Sequence, residues 1–320
     1  MLLTSEIFTA SATSIRADGA HLFWAEKPSD SLTESMAEFG QASPVLVRET
    51  EAGLTLVAGH ARLAALAAAG QPVLARMVED ADDVSTGLLY LADNAQRPLD
   101  DGMRLAALQY FAPRVDEGVL RQDILPRLGI KPKSKDARFL LAWLGMDKEW
   151  QALLTAGNVP LAAVSPLARM SVDDLAAVKP LFTGLSWSRS SGVNVLTWLF
   201  ETATMHGVAV AEVMDRAGMN AALAQGLSPK DAIARLSTAA RQARHPELTR
   251  LQERYAAVAA EITAGTKWRM TQPDSFETGG SELTIQIKNG EQLKQAVKDL
   301  ENMAASTAWD KLWSLGSRDE

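Results

Sequence analysis

The chain has 320 residues, 47% of them apolar and 22% charged, with a net charge of −7. That is length for two or three domains, and acidic enough that any nucleic-acid contact needs a local basic patch. It contains no cysteine, which excludes disulfides, thiolate metal sites and cysteine catalysis. The four histidines, His21, His60, His206 and His245, are scattered without metal-ligand spacing. No stretch is long and apolar enough to cross a bilayer, and MLLTSEIFTASATSIRAD lacks the basic start and apolar core of a signal peptide. A cytoplasmic protein without a membrane partner is expected.

Residues 1–30 show no strong period and read as an irregular arm. SLTESMAEFGQ (31–41) reads as a short helix with Leu32, Met36 and Phe39 on one face and Gly40 as its stop. PVLVRE (44–49) and LTLVA (54–58) read as strands joined by a turn at Glu51–Gly53. Gly59 then opens an alanine-rich helix closed by Gly70, and PVLARMV (72–78) is a third strand. From residue 82 to about 262 the pattern is almost wholly helical. Ser85–Asn94, Asp100–Phe111 and Gly118–Leu128 carry helical spacing, Pro126 kinks the last, and Gly129 ends it. A helix over Ser134–Leu144 follows, with more through 147–182. GLSWSRSSG (184–192) reads as a linker, helices resume over 193–242, and His245-Pro246 breaks them.

In the last part, Leu248, Leu251, Tyr255, Val258 and Ile262 recur three and four apart as an apolar seam. KWRMT (267–271) and ELTIQIK (282–288) alternate with period two, with Leu283, Ile285 and Ile287 on one face. The loop between them holds Pro273, Gly279 and Gly280. Asn289 caps a helix bearing Leu293, Val297, Leu300 and Met303, with Gln292 as capping partner. Trp309, Leu312 and Trp313 share one side of the tail, STAWDKLWSLGSRDE. Two strands alone are marginal and the seam needs a partner, so this helix–strand–strand–helix module is expected to pair with a second copy or to fold back on the helical part.

The junction at Gly59 has chemistry of its own. A helix that starts after a glycine presents free N–H groups and a positive dipole end, an anion site, and Arg62 sits in its first turn to pair with a phosphate. The same pattern also serves as a plain structural turn. Here a resemblance enters. LVAGHARLAALAAAG (56–70) resembles the G-E-R-R-x-R-A box of the ParB family, SMAEFGQASPVLV (35–47) is similar to the run that leads into its first strand, and DNAQRPL (93–99) resembles its second box, E-N-x-Q-R. The resemblance implies a ParB/sulfiredoxin-like domain that holds CTP with Mg²⁺ through Gly59, His60, Arg62, Asn94, Gln96 and Arg97. The departures are His60, Ala61 and Ala64 where the first box has a glutamate and two arginines, and Asp93 where the second has a glutamate. Each lost arginine removes charge-assisted contacts of roughly 1.5–3 kcal/mol. His60 reads equally as a phosphate contact or as a surface histidine.

Residues 119–144 read as helix-turn-helix, with Gly129 in the turn and Lys131, Lys133, Lys135 and Arg138 at the start of the second helix, where DNA contacts are made. The order resembles the same family, as does the C-terminal module, taken as its dimerisation domain through Leu248, Leu251, Tyr255, Val258, Ile262, Leu283, Ile285 and Ile287. The fold class expected is α+β, divided into a nucleotide-binding domain (1–98), a helix-turn-helix domain (99–183), a helical connector (184–246) and a dimerisation module (247–320). The resemblance implies a nucleoid-associated homodimer on double-stranded DNA, acting in plasmid or chromosome partition as a CTP-dependent clamp, with weak CTP hydrolysis left open and a ParA-type ATPase as partner. Two other classes stay open. One is an enzyme of the same fold, a nuclease or a nucleotide-dependent kinase with Asp93, or more distantly Asp82 or Asp83, as base. The other is a regulator that binds DNA without nucleotide.

Overall fold

The computed structural model describes residues 3–273, 276 and 280–315. Its N-terminal part is a four-stranded sheet in the order β1 (Leu3–Ser11), β4 (Pro72–Val78), β2 (Val45–Thr50), β3 (Gly53–Ala58). β2 (Val45–Thr50) and β3 (Gly53–Ala58) form the expected hairpin, and β4 (Pro72–Val78) runs parallel to β2. α1 (Asp30–Phe39) precedes them, and α2 (His60–Ala68) links β3 to β4. Val45, Val47, Leu56, Ala58, Val73 and Ala75 are fully buried, the signature of strands whose apolar faces meet a core.

Two expectations here are corrected. The supposed irregular arm contains β1 (Leu3–Ser11), which pairs antiparallel with β4. Its apolar residues, Leu3, Ile7, Phe8 and Ala10, do not alternate with period two, so only the pairing reveals it; Met1 and Leu2 lie outside the described residues. A few residues later Arg16 bridges to Thr55 on β3, so one segment covers both edges of the sheet. Phe39 does not share the buried face of α1: it is 77% exposed, while Met36 is buried.

The helical part runs α3 (Asp83–Asp93), α4 (Asp101–Phe111), α5 (Glu117–Val119), α6 (Leu125–Arg127), α7 (Lys135–Trp143) and α8 (Lys148–Thr155). Short α9 (Val164–Leu167) and α10 (Val172–Val178) follow. Next come α11 (Arg189–His206), α12 (Val210–Arg216), α13 (Met219–Leu223) and α14 (Pro229–Arg244). A π-helical turn, Leu120–Ile124, joins α5 to α6. It lies just before Pro126 and opens the backbone where the ring would crowd the carbonyl four residues back.

The stretch 184–192 is not a free linker. Trp187 is buried and donates its indole N–H to the Leu181 carbonyl at 2.7 Å, and Ser188 caps α11 by accepting from the Ser191 amide. Its serines serve as a helix start, which composition alone cannot tell from a loop. Buried side chains from Ala12 to Ala240 form one cluster, and a second gathers Tyr255, Ala259, Ile262, Met303, Ala308 and Leu312.

The C-terminal part is α15 (Pro246–Ile262), β5 (Arg269–Thr271), β6 (Glu282–Thr284), α16 (Gly290–Ala304) and α17 (Ala308–Trp313). Asn289 caps α16 as expected, accepting from the Gln292 amide, while the Gln292 side chain accepts from the Lys288 amide. β6 stops at Thr284, so Ile285 and Ile287 lie beyond the ladder. Gly279 of the connecting loop and the final Gly316–Glu320 lie outside the described residues. The seam on α15 is also not wholly vacant. Tyr255 and Ile262 are buried in the cluster that Leu312 and Trp309 of the tail complete, so the chain covers half of the seam itself.

Candidate functional site

Gly59 ends β3 and caps α2 with φ +96°, a backbone angle that side-chain-bearing residues avoid. A Cβ there would also stand 2.9 Å from Val45 Cγ1 and 3.0 Å from Arg62 Nη2. The junction is thus built around a missing side chain. Helix α2 leaves its first-turn amides without intrahelical acceptors, and Arg62 stands in that turn.

The two sequence boxes meet here. Arg62 Nη2 donates to both carboxylate oxygens of Asp93, at 3.3 and 3.1 Å, and Arg62 Nε is buried without a hydrogen-bond partner. Arg97 donates to the Trp24 carbonyl at 2.8 Å and to the Glu26 carboxylate at 3.0 Å. His60 Nδ1 is 3.1 Å from the Glu26 carbonyl, to which it can donate. Residues 24–26 therefore form a strap across the junction, tied to both boxes. Trp24 is pinned further: its amide donates to the Tyr90 hydroxyl at 3.2 Å, and its indole N–H to the Met103 carbonyl at 2.8 Å. Burial pushes the Tyr90 phenol up to about 12, so the hydroxyl stays protonated at neutral pH.

Of the six residues expected to line the site, Gly59, His60, Arg62 and Arg97 are drawn together through Asp93 and Glu26. Asn94 caps α3 and spends its amide on the Tyr90 carbonyl at 2.9 Å, and Gln96 is exposed. Trp24 and Glu26 were missed. They stand in a segment without a period, and a carboxylate in such a segment gives no signal until the fold brings it to an arginine 71 residues away.

The glycine opening, the free amides and the unpartnered Arg62 Nε fit a phosphate. Against this, both arginines are already neutralised by carboxylates. Among the described residues no three His, Cys, Asp or Glu side chains gather to hold a metal. The other candidate bases have structural partners. Asp82 accepts from the Ser85 amide at 2.7 Å as the cap of α3, which holds its carboxyl below the usual range. Asp83 lies 3.7 Å from Arg48 and 3.6 Å from Arg114.

The second site is the start of α7. Gly129, with φ +75°, turns the chain after α6, and Ile130 donates back to the Leu125 carbonyl. Ser134 caps α7 by accepting from the Ala137 amide at 3.1 Å. Leu120, Ile124, Leu125, Leu128, Ala137, Leu140 and Trp143 anchor both helices in the core. Lys131, Lys133, Lys135 and Arg138 are all exposed. Thirteen ion pairs are found among the described residues, and none involves any of these four cations. Arg127, at the end of α6, is exposed and outside those pairs as well.

Residues 20–95 match the ParB N-terminal domain family. No curated protein matches the chain. Among solved structures the chain is similar to a C-terminally truncated chromosome-partitioning protein ParB from Caulobacter crescentus complexed to the centromeric parS site. The identity is 17% and the TM-score 0.37, over 59% of this chain and 98% of that one. The same protein complexed with CTP-gamma-S matches at 19% identity and a TM-score of 0.26, over 55% and 98%.

Proposed function

We propose, for a chain whose residues 20–95 match the ParB N-terminal domain family, a DNA-binding protein of plasmid or chromosome partition that works as a homodimer and is gated by CTP with Mg²⁺. The observation that carries the DNA half is the set of unpaired cations at the start of α7. Elsewhere this acidic chain pairs many of its arginines, so leaving four adjacent cations free on a capped helix start suits a phosphate backbone. The helix-turn-helix is then α5–α6 and α7, with α7 as the reading helix. Fluorescence anisotropy on a labelled duplex, with CTP, ATP or no nucleotide, tests the reading; absence of DNA binding at low salt would end it.

For the nucleotide half, Gly59, His60, Arg62 and Arg97 would hold the phosphates, and Glu26, once displaced, could turn to the cation. Bound CTP with Mg²⁺ would supply the switch between DNA-loading and DNA-holding forms. Arg62→Ala and Arg97→Ala should each weaken CTP binding at least tenfold, about 1.4 kcal/mol, as read by calorimetry. Asp93→Asn should tighten it, because it removes the carboxylate that competes for Arg62.

The same ion pairs favour a second reading, a DNA-binding regulator that needs no nucleotide: in Arg62–Asp93 and Arg97–Glu26 both arginines already have carboxylate partners. Calorimetry with millimolar CTP showing no heat for wild type or Asp93→Asn would select it. A kinase or nuclease gains nothing from the geometry, since Asp82, Asp83 and Asp93 are each engaged by a partner. The partner ATPase would be of ParA type.

For the dimer we place the second copy on α16. Leu293, Val297 and Leu300 form an exposed stripe there, and Ile287 beside it is 43% exposed. None of these, nor Leu248, Leu251 and Ile285, belongs to either core cluster. The surface is therefore shifted from Tyr255, Val258, Ile262 and Leu283, which pack in the chain's own cluster, to Leu248, Leu251, Ile285, Ile287 and α16.

A further inference from the structure

Residues 131–138 contain one carboxylate, Asp136, set between Lys135 and Arg138 in the first turn of α7. An acid there stabilises the helix start by facing the positive end of the dipole. On a surface that meets phosphate the same charge is repulsive. The fold answers this with a residue 53 positions away: Arg189 Nη2 donates to Asp136 Oδ1 at 2.8 Å. Arg189 is presented from a firm base. It is the first residue of α11, whose start is anchored by buried Trp187, and the Trp187 amide donates to the Asn158 carbonyl at 3.1 Å. Gly192 behind it is buried so closely that a Cβ would stand 3.0 Å from the Pro160 ring.

We propose that Arg189 is a positioning residue of the DNA surface: it cancels the Asp136 charge, so that the start of α7 presents only cations to the phosphate backbone. This rests on the DNA-binding reading above. The Ser/Gly-rich stretch before α11 then serves to hold one guanidinium against the reading helix. Both side chains are well exposed, at 60% for Arg189 and 39% for Asp136, so the pair adds little to stability and its value lies in the local charge. Three variants of the full chain test it by anisotropy on a short labelled duplex across a salt series, with thermal melting as the control for folding. Arg189→Ala should lose roughly five- to tenfold in affinity at about 0.1 M salt and flatten the salt dependence by about one phosphate equivalent. Asp136→Asn should bind as wild type or tighter. The double variant should return to within about twofold of wild type, because the charge to be cancelled is gone. A double variant as weak as Arg189→Ala overturns the proposal in favour of a direct phosphate contact by Arg189. Wild-type binding by Arg189→Ala overturns it outright. Failure of the wild type to bind DNA overturns the DNA reading and this inference together.

Discussion

Replacing Lys133, Lys135 and Arg138 together with alanine is expected to lower affinity for any duplex by roughly 500-fold at about 0.1 M salt. Each phosphate neutralised on B-DNA releases close to 0.9 of a counterion, so each contact contributes a factor of about eight at that salt, and three contacts multiply. The slope of log K against log salt should flatten by about 2.7. The fold should survive, because the three side chains are exposed and make no ion pair, while Ala137, Leu140 and Trp143 keep α7 anchored. Lys131 and Arg127 would supply what binding remains. A triple variant that binds as wild type does at both low and high salt means that α7 is not the reading helix, and the DNA contact must then be sought elsewhere.

The second large effect concerns assembly. Truncation after Pro246 should convert a dimer into a monomer, as read by light scattering at tens of micromolar. Leu293→Asp with Val297→Asp should do the same in the full chain. Both residues are 51% exposed in the single chain, so the change costs its fold little. In a dimer each would be buried, where a leucine-sized side chain contributes roughly 1.5–3 kcal/mol and a desolvated carboxylate costs several kcal/mol. Doubled by two-fold symmetry, that exceeds what holds an interface of micromolar strength. Dimerisation would also make the second DNA contact of a pair intramolecular, raising avidity on a palindromic site. A full-length chain that is monomeric at tens of micromolar removes the dimer from the proposal and leaves the α16 stripe without an occupant.

What the sequence determined by itself is what short-range rules can express. The hairpin of β2 and β3, the glycine at 59, the starts of α7 and α16 at Ser134 and Asn289, and the break at His245-Pro246 all follow from side-chain period, turn chemistry and capping, which act over a few residues. Arg62 in the first turn of α2 and the cations at the start of α7 were placed for the same reason. The tertiary structure decided everything that depends on a distant partner. It made a strand of residues 3–11 by setting them beside β4, packed Trp187 of the supposed linker, and covered half of the α15 seam with the chain's own tail. It also settled the electrostatics of both sites, through Arg62 with Asp93, Arg97 with Glu26 and Arg189 with Asp136, pairs 31, 71 and 53 residues apart. A charge at one position carries no local mark of the charge that will face it, because that encounter is fixed by how the apolar cores pack and not by any pattern within a turn or two of chain.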